Sequence, residues 1–363
     1  MPISSKPRLR DLGISIGRLP TGPLNAITDV PDVWVGHSTL IYDEPRVART
    51  GVTAILPRQG RIWRDPAFAG FHSYNGCGEM TGTHWIAESG MLSTPICITN
   101  TGQVGTVHTA MGAYAVEHGF ADDFELPVVA ETYDGWLNDM AALHIKPEHV
   151  YDAFDAAGPG PVAEGCVGGG TGMICHEFKG GIGTSSRVVE TAEETYTVGA
   201  LVQANYGARR DLRLDGVPVG EELGLNKIPS GWAEAAEPGA GSIIIILATD
   251  APLLPFQCNR LAQRAATGLA RVGGYGHNGS GDIFLAFATG NEIDSSGGTP
   301  VAVRMLPNER MNSLFHAAAD SVEESIWNAL LAAETTTGFK GRTAYAIPHK
   351  DVVGIWKQYQ KTA

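Results

Sequence analysis

The sequence is poor in charge. Asp, Glu, Lys and Arg make up only 18% of its 363 residues, below the ~25% of ordinary globular chains. Basic residues never form a block; the densest stretches are Lys6 to Arg10 and Arg209-Arg210, and the net charge is −13. That argues against nucleic acid as a partner. No run approaches the ~18 apolar residues that a membrane-spanning helix requires. Met1 to Ser15 lacks the continuous apolar core of a secretory signal. Five cysteines (Cys77, Cys97, Cys166, Cys175 and Cys258) include no C-x-x-C pair, so neither a disulfide framework nor a zinc ribbon is expected. These absences predict an enzyme-sized protein of a reduced, cytoplasmic compartment, away from membranes.

Several catalytic signatures are missing too. There is no G-x-S-x-G elbow of an α/β-hydrolase. His176-Glu177 lacks the second histidine of H-E-x-x-H, and the histidines are otherwise scattered, so no metal is expected and none is assigned to catalysis. Gly168-Gly169-Gly170-Thr171-Gly172 is glycine-dense, but Lys179 is followed by glycine and no phosphate-binding lysine motif exists. No cofactor is expected.

Glycine and apolar residues are plentiful. The 46 glycines fall in clusters between ordered apolar segments, which points to tight turns and close backbone approach around a site. Apolar runs predict strands at 33–37, 52–56, 96–100, 128–132, 185–189, 196–205, 243–248 and 283–289. Helical spacing marks 106–118, 147–156, 255–271 and 311–332, with shorter helical signals at 83–89 and 139–143. Residues 1–23 read as an extended arm that could pack on a neighbouring subunit. Gly60 to Gly78 reads as a loop, and 211–237 as an exposed, mobile linker. Alternating sheets and helices predict a layered α/β domain.

The linker ends at Gly239-Ala240-Gly241-Ser242, which runs directly into Ile243-Ile244-Ile245-Ile246-Leu247. Alone, this is an ordinary Gly/Ser turn before a buried strand. It is also what a chain needs to cut itself at Gly241-Ser242. Ser242 Oγ would attack the unhindered Gly241 carbonyl, and hydrolysis of the resulting ester would free an α-amine. With an ordinary pKa of roughly 7.7–8.0, that amine is a competent base for the hydroxyl of the same residue.

Three further segments carry usable chemistry, and each has a plainer reading. Ser280 and Asp282, two residues apart at the start of a strand, share one face and could relay a proton from Ser242; otherwise they form a turn. Glu131 and Tyr133 end a strand, where a carboxylate could hold a cationic amine and a phenol could donate to an oxyanion; otherwise they belong to a loop with a buried tyrosine. Asn205 ends another strand, where its amide could stabilise an oxyanion, worth ~10²–10³ in rate; otherwise it makes an Asx turn.

Taken in order, the segments resemble the self-processing family of L-aminopeptidase/D-amidase-esterases and β-peptidyl aminopeptidases (DmpA-like). The resemblance runs through Thr28-Asp29-Val30-Pro31-Asp32-Val33-Trp34-Val35-Gly36-His37, Glu131-Thr132-Tyr133-Asp134-Gly135 and Gly165 to Gly172. It continues through Phe178 to Arg187, Val202-Gln203-Ala204-Asn205, Gly241-Ser242 and Ser280-Gly281-Asp282. It implies a four-layer α-β-β-α sandwich of the N-terminal-nucleophile-hydrolase type, shared with ornithine acetyltransferases. It further implies one domain over 1–363, cleaved into 1–241 and 242–363, with four such pairs assembled into a homo-oligomer. Ser242 would be the nucleophile. Asn205 and Tyr133 would support the oxyanion and the cleavage, Ser280 and Asp282 would move protons, and Glu131 would meet the free amine of a small peptide, amide or ester. In β-peptide-cleaving relatives a glutamate is expected where this chain has Asp282. That shorter side chain favours the broader L-aminopeptidase or D-amidase/esterase activity over a specific β-peptidyl aminopeptidase. An ornithine-acetyltransferase-like acyltransferase would use threonine at 242. A nylon-oligomer-type amide hydrolase or a non-catalytic small-molecule binding protein would also be compatible with these residues.

Overall fold

The computed structural model describes residues 6–361 except 122–123, 192–193, 237–240 and 294–298. Ten strands of two sheets supply the framework. In chain order the strands are β1 Trp34–Tyr42, β2 Ala48–Leu56, β3 Ala67–Gly76, β4 Met91–Leu92, β5 Ile96–Asn100, β6 Val128–Thr132, the short pair β7 Ile174–Cys175 and β8 Phe178–Lys179, then β9 Gly181–Glu190, β10 Thr195–Asn205, β11 Ser242–Thr249, β12 Gly281–Ala288 and a second short pair, β13 Thr336–Thr337 and β14 Thr343–Ala344. The helices are α1 Thr83–Ser89, α2 Val104–Glu117, α3 Pro147–Asp155, α4 Val219–Glu222, α5 Gly231–Ala235, α6 Pro255–Val272, α7 Met311–Ala332 and α8 His349–Gln360.

One sheet has the order β1-β2-β5-β6 and the other β4-β3-β12-β11-β10-β9. Their strands are apolar on both faces because each sheet is covered on both sides. β11 shows this most clearly. Ile243, Ile245 and Leu247 pack with Leu261, Leu269, Val322 and Ile326 of α6 and α7. Ile244, Ile246 and Ala248 pack with Ile55, Ile98 and Ala130 of the other sheet. On that sheet's far side, Val52, Cys97 and Val129 meet Val107, Met111, Val150 and Phe154 of α2 and α3. The layers are therefore helix, sheet, sheet, helix, the predicted α-β-β-α sandwich.

Three local expectations are corrected. Residues 67–76, read as loop, form β3, which pairs with β12 and β4. The arm folds onto its own chain: Leu9, Ile14 and Ile16 are buried. Leu9 N–H donates to Asn328 Oδ1 at 3.0 Å, and Arg10 meets Glu324 of α7 at 2.9 Å. The segment after Asp211 is not an exposed linker, because Leu212, Leu214, Val217, Val219 and Leu223 are buried and the Trp327 indole N–H donates to the Arg213 carbonyl. Its predicted last stretch, 237–240, lies outside the described residues.

Candidate active site

Ser242 occupies the first position of β11, in the centre of the six-stranded sheet. It pairs with Asn205, the last residue of antiparallel β10, and with Gly281, the first residue of parallel β12. Strand alternation decides where its side chain goes. Ser242 shares the parity of Ile244 and Ile246, so it faces the seam between the two sheets. There its Oγ accepts the Gly281 N–H at 3.1 Å.

The residue before it has to be glycine. Gly241 has φ +130°, a conformation that side chains resist. A Cβ placed there would lie 2.0 Å from the Asn205 carbonyl oxygen and 2.9 Å from Tyr206 Cα. The glycine thus lets the chain enter β11 flush against the end of β10.

Asn205 has the odd parity of Leu201, and so it too faces the seam. Its amide is held at both ends: Oδ1 accepts the Ile174 N–H at 2.7 Å, and Nδ2 donates to the Tyr133 carbonyl at 3.0 Å. The Ile174 donor fixes which way the carboxamide is turned, and one Nδ2 hydrogen is left over. Tyr133 meets Asn205 through its main chain. Its half-exposed ring folds over Gly135, where an added Cβ would lie 2.5 Å from Cζ and the hydroxyl, and stands 6.4 Å from the Trp232 ring.

Glu131 comes from the other sheet, on β6. Its Oε1 accepts the Glu79 N–H at 3.0 Å, and the Thr101 hydroxyl donates to Oε2. Gly78 bridges it to Gly281, the neighbour of Ser242: a Cβ there would lie 3.2 Å from Glu131 Oε1 and 3.1 Å from Gly281 Cα. Burial pushes the Glu131 carboxyl above its ordinary range, while the hydrogen bonds from Thr101 and Glu79 pull it back. Two donors leave acceptor sites for an incoming cation. Asp134, next in the same turn, is fully buried and pushed up to about 7, chiefly by loss of solvent.

Ser280 and Asp282 do share one face, with Ser280 Oγ donating to Asp282 Oδ1 at 2.5 Å. Asp282 pairs with Ile243, so this couple lies on the helix-covered face, opposite to the Ser242 side chain. The two faces connect through the main chain of Gly281, whose N–H reaches Ser242 Oγ. Burial pushes the Asp282 carboxyl up to about 6, against the bonds from Ser280 and the Ile243 backbone.

The sequence did not signal the main-chain donors of Gly281, Ile174 and Glu79, or the Thr101 hydroxyl. The clustered glycines at 76, 78, 279 and 281 were the available hint, since they mark backbone approach. Among the described residues no three His, Cys, Asp or Glu side chains are grouped as metal ligands. No helix among them is long and apolar enough to cross a membrane.

Comparison with known proteins identifies the family. The peptidase family S58 matches residues 25–344. The β-peptidyl aminopeptidase BapA of Sphingosinicella microcystinivorans is 49% identical, over 98% of this chain and 93% of that one. The protein of the same name from Sphingosinicella xenopeptidilytica is 45% identical, over 97% and 91%. Among solved structures, a β-aminopeptidase of Burkholderia sp. superposes with a TM-score of 0.90 at 50% identity, covering 97% of this chain and 99% of that one. The L-aminopeptidase D-Ala-esterase/amidase of Ochrobactrum anthropi, described as a prototype serine aminopeptidase and a variant of the Ntn hydrolase fold, superposes with a TM-score of 0.91 at 44% identity, covering 99% and 100%. The α-β-β-α sandwich, the serine at the head of its central strand and these matches over nearly the whole length make the chain a member of peptidase family S58, a serine-type aminopeptidase of the Ntn-hydrolase fold.

Proposed function

We propose that the chain cuts its own Gly241–Ser242 bond and then uses Ser242 as an amino-terminal nucleophile. The observation that carries this reading is the position of Ser242, flanked by Asn205 and Gly281 behind a glycine at φ +130°. Ser242 Oγ adds to the Gly241 carbonyl and the peptide nitrogen leaves, which turns the amide into an ester. Water hydrolyses the ester and leaves a Gly241 carboxylate and a free Ser242 with hydroxyl and α-amine.

In turnover, Glu131 takes the substrate's ammonium as a charge-assisted hydrogen bond. The Ser242 α-amine accepts the Oγ proton while Oγ adds to the substrate carbonyl. The free Asn205 N–H stabilises the oxyanion, the proton passes to the leaving amine, and water resolves the acyl-enzyme. Ser280 and Asp282 hold a proton-accepting couple beside the start of β11. Tyr133 supports the site through the carbonyl that anchors Asn205. A single carboxylate, Glu131, placed to take a free ammonium favours small peptides, amides and esters with a free amino terminus as the substrate class. The β-peptidyl reading is favoured by the names of the relatives above, and p-nitroanilides of L-, D- and β-amino acids separate it from the α-amino acid reading.

The assembly into four cleaved pairs follows the family resemblance, and light scattering on the purified protein counts them. Five free cysteines, none bonded to another, support a reduced, cytoplasmic setting. Intact mass tests the core of the proposal: fragments 1–241 and 242–363 are expected. Ser242→Ala is expected to remain one polypeptide without activity; full turnover by that variant would refute the mechanism.

A further inference from the structure

Lys179, on β8, is wholly buried. Its Nζ donates to the carbonyls of Gly180 at 2.8 Å, Met173 at 2.9 Å and Gly170 at 3.4 Å. Its titratable neighbours are the Cys166 thiol, which acts most strongly, with Cys175 and Lys6, and no carboxylate lies within ion-pair distance of it among the described residues. A buried ammonium satisfied mainly by carbonyl dipoles is expensive to desolvate, and an apolar side chain of similar volume would generally serve stability as well. Its presence calls for another reason.

The Met173–Ile174 peptide supplies one. Its carbonyl takes the Lys179 ammonium at 2.9 Å. Its N–H donates to Asn205 Oδ1 at 2.7 Å. The Asn205 amide in turn donates from Nδ2 to the Tyr133 carbonyl at 3.0 Å, with a second N–H left over. Every link runs donor to acceptor in the same sense, from the ammonium through two amide groups. In such a chain each hydrogen bond polarises the next, and in a water-free interior the effect is not screened.

We propose that Lys179 is a positioning residue for the hydrolytic reaction: through the Met173–Ile174 peptide it holds the Asn205 carboxamide turned toward the seam and strengthens its N–H as an oxyanion donor. The inference rests on the N-terminal-serine mechanism above. Lys179 touches neither substrate nor Ser242 in this account; its charge is felt through Asn205 alone.

A double-mutant cycle tests it. Lys179→Met keeps the side chain's length and removes its charge and donors. On an aminoacyl p-nitroanilide it is expected to lower kcat about tenfold with KM within twofold, because the interaction matters only once the oxyanion forms. Self-cleavage is expected to slow in parallel. In an Asn205→Ala background, assayed on protein whose cleavage is confirmed by intact mass or, where it stays uncut, read from the rate of self-cleavage, the same substitution is expected to cost nothing further. Unchanged kcat, or an equal loss in both backgrounds, would overturn the proposal. Should Lys179→Met not accumulate folded, Lys179→Gln, which keeps an N–H donor without the charge, takes its place with an expected loss of about threefold and the same coupling to Asn205. A wild-type protein found active as one uncut chain would instead overturn the mechanism itself, and is read separately from the cycle by intact mass.

Discussion

Replacing Glu131 by glutamine isolates the charge proposed to select a free amino terminus. Glutamine has the same shape, and both existing partners can be kept. The amide oxygen can still accept the Glu79 N–H, and the Thr101 hydroxyl can rotate to accept from the new NH₂ group. The variant is therefore expected to fold and to self-cleave, since cutting Gly241–Ser242 involves no substrate ammonium. What it loses is the difference between a charge-assisted hydrogen bond and a neutral one in a partly buried setting, about 0.5–2 kcal/mol. That corresponds to roughly 2- to 30-fold in kcat/KM at 1.4 kcal/mol per tenfold, seen mainly in KM because the ammonium is bound before and during the reaction. The assay compares an aminoacyl p-nitroanilide with its N-acetylated form. The wild type is expected to reject the acetylated substrate, and Glu131→Gln to narrow the gap by slowing the free-amine substrate. A correctly cleaved Glu131→Gln enzyme with kcat/KM within twofold of wild type would refute the assignment.

Other perturbations read other parts of the site. Gly241→Ala forces a Cβ against the Asn205 carbonyl in a positive-φ conformation, at about 1–3 kcal/mol of strain; intact mass over time is expected to show cleavage far slower than wild type, and an unchanged rate would discount the glycine's role. Asp282, pushed up to about 6 by burial, is expected to give the pH–kcat/KM profile a second acidic limb near that value, below the one set by protonation of the Ser242 α-amine at roughly 7.7–8.0, with activity falling further as the carboxylate protonates. Asp282→Asn is expected to lower activity and flatten that limb. The sign for stability is opposite: a carboxyl raised from 3.8 to about 6 binds its proton more tightly in the native state, so its contribution is largest below pH 3.8 and is lost as pH rises through 6. Melting midpoints across that range are expected to show the Asp282→Asn variant gaining on wild type as pH rises.

Much of this architecture was legible from periodicity alone. β5 at 96–100 and β6 at 128–132 fall where their β-branched runs predict. The fully apolar 243–247 run reads as a strand covered on both faces, which β11 is. The strand β3 was hidden because Ala67-Phe68-Ala69-Gly70-Phe71-His72-Ser73-Tyr74 is poor in β-branched residues, so its extended form is imposed by pairing with β12. Gly70 there is not a turn signal: a Cβ would lie 2.4 Å from the Asn259 nitrogen, so the glycine lets α6 approach the sheet. The N-terminal arm reads as free to pack elsewhere because its anchors are distant in sequence: Leu9 on Asn328, Arg10 on Glu324 and Arg8 on Glu164 among them. Within the site, the spacing of Ser280 and Asp282 correctly predicts a shared face. Which face that is depends on the register of β12 against β11, and a single segment cannot reveal it.

The strand order of the larger sheet bears on what happens to a chain severed before Ser242. β11 and β12 would belong to the shorter piece, yet they lie between β3 and β10 of the longer one. β11 is laced to β10 over eight residue pairs, Val198 to Asn205 against Thr249 to Ser242. The two polypeptides would be interleaved like fingers, and dilution alone would not part them. Heat that melted the sheet would do so permanently: a unimolecular collapse on the way down becomes a bimolecular search on the way back, between partners that first folded as one.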